Sequence, residues 1–158
     1  MYQWLVFLHI LAALAFFMAH GASAAMAFRV RRERELDRLR AVLDLSTAAQ
    51  PIAFFALVVL LLAGIGAGIM GNWFRMGWIW AALGLVVLLG FWMTFYASRY
   101  YVPLRKALGM PYRGDPAQPP ASEAEIHRIR EASNPLVFAA ISFAVVAIIL
   151  WLMMFKPF

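Results

Sequence analysis

The sequence predicts an all-α membrane protein, a bundle of four transmembrane helices, and three observations carry that prediction. Of 158 residues, 65% are hydrophobic and only 14% charged, where soluble chains run near half and a quarter. Mean hydropathy is +0.77. Four stretches, Met1 to Phe28, Leu45 to Phe74, Met76 to Ser98 and Ala132 to Phe155, contain no Asp, Glu, Lys or Arg. Each is long enough to cross about 30 Å of hydrocarbon, which takes roughly 20 helical residues. Spans are expected at about 3–28, 46–70, 76–98 and 134–155, in a single domain covering 1–158, with charged loops at 29–45 and 99–133. This organisation excludes a soluble enzyme and a nucleic-acid binder built on the net charge of +6. The absence of cysteine removes thiol catalysis, cysteine zinc sites, iron–sulfur clusters and a disulfide scaffold together. Span one does not read as a signal peptide, because its charge follows the apolar run instead of preceding it.

Charge gives the topology. Arg29, Arg31, Arg32, Arg34, Arg38 and Arg40 lie between spans one and two; Arg99, Arg105, Lys106, Arg113, Arg128 and Arg130 lie between spans three and four. Only Arg75 and Lys156 fall on the other side. The positive-inside rule therefore places loops one and three in the cytoplasm and both termini outside. The aromatic residues agree. Tyr2, Trp4, Trp73, Trp78, Trp80 and Trp151 fall near the predicted outer face, Tyr96, Tyr100 and Tyr101 near the inner one, and Trp92 deeper.

Loop one is helix-favouring, with Leu36, Leu39, Val42 and Leu43 at helical spacing and charges on the other faces. It reads as a solvated helical hairpin, with anionic headgroups as the functional alternative for its arginines. The turn into span two is expected at Asp44 or Ser46, both good N-caps, which puts Pro51 in the first turns of span two. The connection Gly71 to Gly77 is a tight turn. In loop three, Gly109 to Pro120 holds four prolines and two glycines and predicts an irregular strap. Ser122 and Glu125 then form a capping box for a short helix through Glu131, and Asn134 caps span four with Pro135 at its first position. His127 reads as an exposed histidine on the short helix.

Within the spans, His9 and His20 stand out. Eleven residues apart, they share one face of span one, about 16 Å apart along the axis. The same stripe carries Ala12, Ala13, Phe16, Ser23, Ala24 and Ala27. Ionisable residues in spans are costly and face bundle interiors, which makes them candidates for function. Three readings suit them: haem b ligation with small neighbours leaving room for the porphyrin, a metal-ion or proton relay at two depths, or packing in which each imidazole donates to a carbonyl of a facing helix. Two histidines so far apart on one helix cannot ligate one iron. Candidate second ligands are Met70, Met93, Met153, Met154 and Tyr96, and a two-fold homodimer could instead pair each histidine with its copy.

Gly64, Gly66, Gly68 and Gly71 in span two give small-residue spacings suited to packing within the bundle. Thr94, Ser98 and Ser142 are expected to bond backbone carbonyls. Nine methionines invite a Cu(I) reading, yet only Met153 and Met154 are adjacent, and apolar filling is the expected role. There is no phosphate loop, no intramembrane carboxylate and no nucleophile–base pair.

The stretch Trp4 to Ala27, with Leu8-His9-Ile10 early in span one, resembles bacterial four-span proteins of the copper-resistance protein D-like group, to which the membrane protoporphyrinogen oxidase is related. The resemblance implies a four-helix bundle in the bacterial cytoplasmic membrane, haem at His9 and, as a lesser implication, copper passage. Two departures limit it. The tryptophan–glycine pair that commonly follows the histidine is replaced by Ala15-Phe16-Phe17-Met18-Ala19-His20-Gly21, and span three lacks the lysine or second histidine of the oxidase group. Arg99 is no evident substitute, so protoporphyrinogen oxidation is not implied.

Two functions are carried forward. One is a haem b protein of the electron-transfer kind with His9 and His20 as ligands; the other is a non-catalytic membrane subunit, alone, as a homodimer or in a larger complex, whose histidines and glycines pack helices.

Overall fold

The computed structural model describes residues 1–112 and 114–158; Arg113, assigned above to loop three, lies outside the described residues. Four helices are long and apolar enough to cross a membrane, and no β-strand occurs among the described residues. Helix α1 is Tyr2–Arg32 and α2 is Leu36–Met70. Their 31 and 35 residues extend about 46 and 52 Å, well beyond the hydrocarbon thickness. The surplus projects at the end that holds loops one and three, the charged end. The opposite, terminal end holds both chain ends.

The turn between α1 and α2 falls at Glu33 to Glu35, not at Asp44 or Ser46. The Glu33 N–H closes α1 on the Arg29 carbonyl at 2.9 Å. Its carboxylate then accepts from the N–H groups of Arg34 and Glu35, at 3.1 and 3.3 Å, and so fixes the turn and meets the N–H of Glu35, the residue that precedes α2. Beyond the turn the apolar stripe keeps the chain helical, because Leu39 and Leu43 are buried against Val30, Leu104, Leu108 and Ile126. Pro51 accordingly sits deep inside α2 rather than in its first turns. It removes the N–H that would meet the Thr47 carbonyl, a defect that membrane helices tolerate.

The two N–H bonds, that from Glu35 foremost, hold the Glu33 carboxyl below its ordinary value of 4.5. A carboxyl with a lowered folded-state value stabilises the turn fully above the ordinary glutamate range, and that contribution disappears as pH falls through the lowered value. Acid titration of stability should therefore show a component below pH ~4.5 that Glu33→Gln abolishes, as checked by denaturation at stepped pH. An unchanged acid limb in the variant would contradict this role for Glu33.

After α2, Asn72 takes a left-handed conformation (φ 57°) and a 3₁₀ turn, Trp73–Arg75, leads into α3, Gly77–Tyr96. The tight turn expected from Gly71 to Gly77 is present. Helical structure does not stop at Ser98. It widens into a π turn, Ala97–Tyr101, and resumes as α4, Val102–Ala107. Pro103 explains the widening: it has no N–H for the Arg99 carbonyl, and its ring would clash there. The shifted register lets the Val102 N–H reach the Ala97 carbonyl, five residues back.

Gly109 ends α4 at φ 74°, where a Cβ would stand 2.8 Å from the Gln118 carbonyl oxygen. The described part of the strap to Pro120 holds no helix, as its prolines predict. Helix α5, Glu123–Ala132, starts on Ser122, whose hydroxyl accepts from the Glu125 N–H at 3.4 Å. Only half of the capping box forms, since the Glu125 carboxylate turns to Arg128 at 2.7 Å. Helix α6, Pro135–Phe155, starts on Asn134, whose Oδ1 accepts from the Val137 N–H at 3.2 Å.

Helix α1 packs along α2 and α3 along α6, and the two pairs meet mainly through α1 and α6. Three apolar clusters tie the bundle together. At the charged end, α1, α2, α4 and α5 enclose the Leu39, Leu43, Leu104, Leu108 and Ile126 core. Toward the middle, Ala24 and Ala27 meet Tyr96, Phe138 and Ala139. At the terminal end Trp78, Ile79 and Ala82 meet Leu152. Trp78 and Tyr96, read from sequence as interfacial anchors, are instead buried in these cores.

The arginines of the loops are also not simply solvated. Arg31 donates to the carbonyls of Glu131 and Ser133, Arg130 to that of Glu33, and Arg40 to that of Leu108. These acceptors lie at the ends of α5, α1 and α4, where helices leave carbonyls open and favour a cation. Arg105 is buried and reaches Leu43, Asp44 and Thr47 of α2.

Candidate functional site: a cavity at His9

The stripe predicted on α1 faces inward: Ala12, His20, Ala24 and Ala27 are all buried. Its covering in the chain comes chiefly from α2 and α6.

His9 meets α2. Its Nδ1 stands 2.8 Å from the Leu60 carbonyl oxygen. A carbonyl can only accept, so Nδ1 carries the proton and Nε2 is left with the free lone pair. No hydrogen bond to Nε2 occurs among the described residues. The ring fits because Gly64 lies one turn on from Leu60. A Cβ at Gly64 would be 2.8 Å from both Cε1 and Nδ1 of the imidazole. The glycine spacing thus serves packing within the bundle, and Gly64 specifically makes the place for His9.

Between the α1–α2 pair and the α3–α6 pair, toward the terminal end, lies a cavity of about 470 Å³. His9 and Ala13 line it from α1, Gly64 from α2, Trp78 and Ala82 from α3, and Met153 from α6. Its walls are overwhelmingly apolar, and its size falls within the roughly 300–1,000 Å³ of cofactor and ligand sites. Of the second ligands considered from sequence, Met153 and Met154 line this cavity, whereas Met70, Met93 and Tyr96 do not.

His20 is placed differently. It is 2% exposed and does not line the cavity. Phe16 stacks on it at 6.3 Å between centroids, with Phe138 at 6.1 Å and Phe143 edge-on at 5.6 Å. Among the described residues neither of its nitrogens has a hydrogen-bond partner, nor does Ser142 Oγ, which was expected to bond a carbonyl. Three rings closed around the imidazole leave no room for a porphyrin, so the haem expected at His20 does not fit. The two histidines share a face and nothing more. His127, read as exposed, is exposed, with Nε2 3.4 Å from the Glu131 carboxylate. Among the described residues no group of three or more His, Cys, Asp or Glu is placed to hold a metal ion.

Sequence reasoning missed two contributors to the His9 site. The Leu60 carbonyl is a backbone atom and leaves no sequence signal. Lys156 was counted only as a charge, yet it too lines the cavity. Its signal was available: it is the sole charged residue after Glu131.

No curated protein and no solved structure matches the chain. A family described as "Predicted integral membrane protein (DUF2269)" matches residues 3–157. That description reaches membrane integration and does not extend to the copper-resistance protein D-like group. With nearly the whole length matched and four helices able to cross a bilayer, the chain belongs to the DUF2269 family of integral membrane proteins.

Proposed function

We propose that the protein is a membrane haem b protein of the electron-transfer kind, with one haem held at His9. The observation that carries this reading is the His9 geometry: Nδ1 anchored on the Leu60 carbonyl while Nε2 stays free beside an apolar cavity of about 470 Å³. A histidine that ligates a metal through one nitrogen usually donates its other N–H to a carbonyl or carboxylate, which fixes tautomer and ring direction. Leu60 supplies that carbonyl. Met153, half-buried and lining the same cavity, is the thioether that would help hold the group. Haem b, when bound, supplies one-electron exchange at iron. The chain's own residues orient the imidazole, exclude water through the walls of α1, α2, α3 and α6, and keep the site's dielectric low. The resemblance of Trp4 to Ala27 to the copper-resistance protein D-like group points the same way. With the charged end cytoplasmic under the positive-inside rule, the site lies in the outer half of a bacterial inner membrane.

A second reading, a non-catalytic membrane subunit, draws on the closeness of the His9–Gly64 fit and on the closed setting of His20, both of which suit packing. Visible spectra of detergent-purified protein, air-oxidised and then dithionite-reduced, separate the two. The haem reading expects a Soret band with sharp reduced α and β bands at one haem per chain. A flat spectrum from cells supplied with ample haem overturns it and leaves the packing reading.

A further inference from the structure

Among the described residues, Lys156 is the one Lys, Arg, Asp or Glu that lines the cavity. Its Nζ lies 4.4 Å from the centroid of the Trp73 ring and 5.9 Å from that of Trp78. All eight acidic side chains of the chain fall between Glu33 and Glu131, at the charged end, and none forms an ion pair with Lys156. Among the described residues, the contacts of the ammonium are therefore these ring faces. An exposed cation–π contact contributes only about 0.5–1 kcal/mol. A carboxylate offers a charge-assisted hydrogen bond, roughly twice as strong as a neutral one, and would draw the ammonium off the rings.

The backbone adds an independent sign. Lys156 caps α6 in the left-handed region, φ 45° and ψ 57°, with its N–H on the Leu152 carbonyl. That position usually goes to glycine, which takes the conformation without strain. Lysine there carries a backbone cost that glycine would not.

We infer that Lys156 is a carboxylate clamp, so that the His9 cavity selects an apolar ligand bearing acidic groups at one end. This rests on the haem reading, whose porphyrin is such a dicarboxylate: its ring would occupy the apolar walls and its propionates would face Lys156 at the terminal end.

The clamp can be tested without iron, so that ligation by His9 plays no part. Metal-free protoporphyrin IX and its dimethyl ester are titrated into the detergent-solubilised full chain, with binding read as quenching of tryptophan emission. The diacid should bind at least about tenfold tighter than the diester, equivalent to about 1.4 kcal/mol. Lys156→Gln and Lys156→Gly should each shrink that preference to within about twofold, and Lys156→Arg should keep it. The glycine variant relaxes the left-handed cap, so a lost preference there cannot come from misfolding. A wild-type protein that binds neither porphyrin, or binds both equally, overturns the clamp, as does a preference that survives Lys156→Gln. Failure of the haem reading alone looks different: the diacid preference persists while ferric haem gives no His9-dependent Soret band.

Discussion

Replacing His9 by Gly should abolish the Soret band of the purified protein while leaving the four-helix fold intact, and added imidazole should restore it. The fold survives because little depends on the side chain. The His9–Leu60 bond is one neutral hydrogen bond, with a net value of about 1 kcal/mol, and the Leu60 carbonyl keeps its place in the α2 ladder. A haem held as proposed would, in contrast, lose the imidazole that ligates it. Free imidazole can enter the space vacated beside Gly64 and supply Nε2 again. A residue that merely packs gives no such rescue. Gly64→Leu tests the same geometry from the other helix. Its Cβ alone would stand 2.8 Å from the ring, and the branch beyond it would push the imidazole off the Leu60 carbonyl. Haem content should then fall at least about tenfold, a loss of about 1.4 kcal/mol or more in affinity. His20→Ala should leave the Soret band in place, since that ring is sealed behind Phe16, Phe138 and Phe143. Loss of haem in His20→Ala with retention in His9→Gly would reverse the assignment.

The difference between the two histidines was not legible in the sequence. Helical spacing placed them on one face, and that face does turn inward. What separates them is which neighbour each meets on another helix. His9 meets a glycine and a carbonyl on α2; His20 meets phenylalanines on α1 and α6. One-dimensional periodicity fixes the direction of a side chain but not the partner helix opposite it. The cavity was invisible for the same reason, because it is a gap between two helix pairs.

The spans were legible because each rests on a single requirement, about 20 apolar residues without charge. Their ends were less so. At loop one, N-cap propensity argued for a break at Asp44 or Ser46, and burial of Leu39 and Leu43 overrode it. At span three, the charge of Arg99 marked an end that the helix runs through, using a π turn to absorb Pro103. In both places the loop carries a small core of its own outside the uncharged stretches. Reading dense charge as a solvated face hid that core, since the leucines were few and the arginines many.

Arg105 carries the second large effect. Arg105→Met should destabilise the protein by about 2–4 kcal/mol, the range for losing several hydrogen bonds to a buried charged group. The guanidinium is buried, and it donates to the Leu43 carbonyl at 3.1 Å, Thr47 Oγ1 at 3.0 Å and the Asp44 carboxylate at 3.1 Å. A longer bond reaches the Pro111 carbonyl at 3.4 Å, which ties the strap to the same point. One side chain thus joins α4, α2 and the strap. Methionine fills most of the volume but donates nothing, and Asp44, being mostly exposed, falls back to water without a buried-charge penalty. That is why the expected range lies about 1 kcal/mol lower than the roughly 3–5 kcal/mol of a broken buried ion pair. Arg40→Met provides the comparison. Its guanidinium also bonds a carbonyl of α4's end, at 3.3 Å, and pairs with Asp37, yet the guanidinium is itself only half-buried and Asp37 is exposed, so water can replace these bonds and the loss should be about 0.5–1 kcal/mol. Lysine should not rescue position 105, because three donors on a flexible stem cannot span acceptors on two elements as a planar fork does. Unfolding of each variant in mixed micelles, followed by helical signal, gives the ranking. Equal losses for the two methionine variants would mean that burial of Arg105 adds nothing, and that apolar contact among Leu39, Leu43, Leu104 and Leu108 alone holds the charged end together.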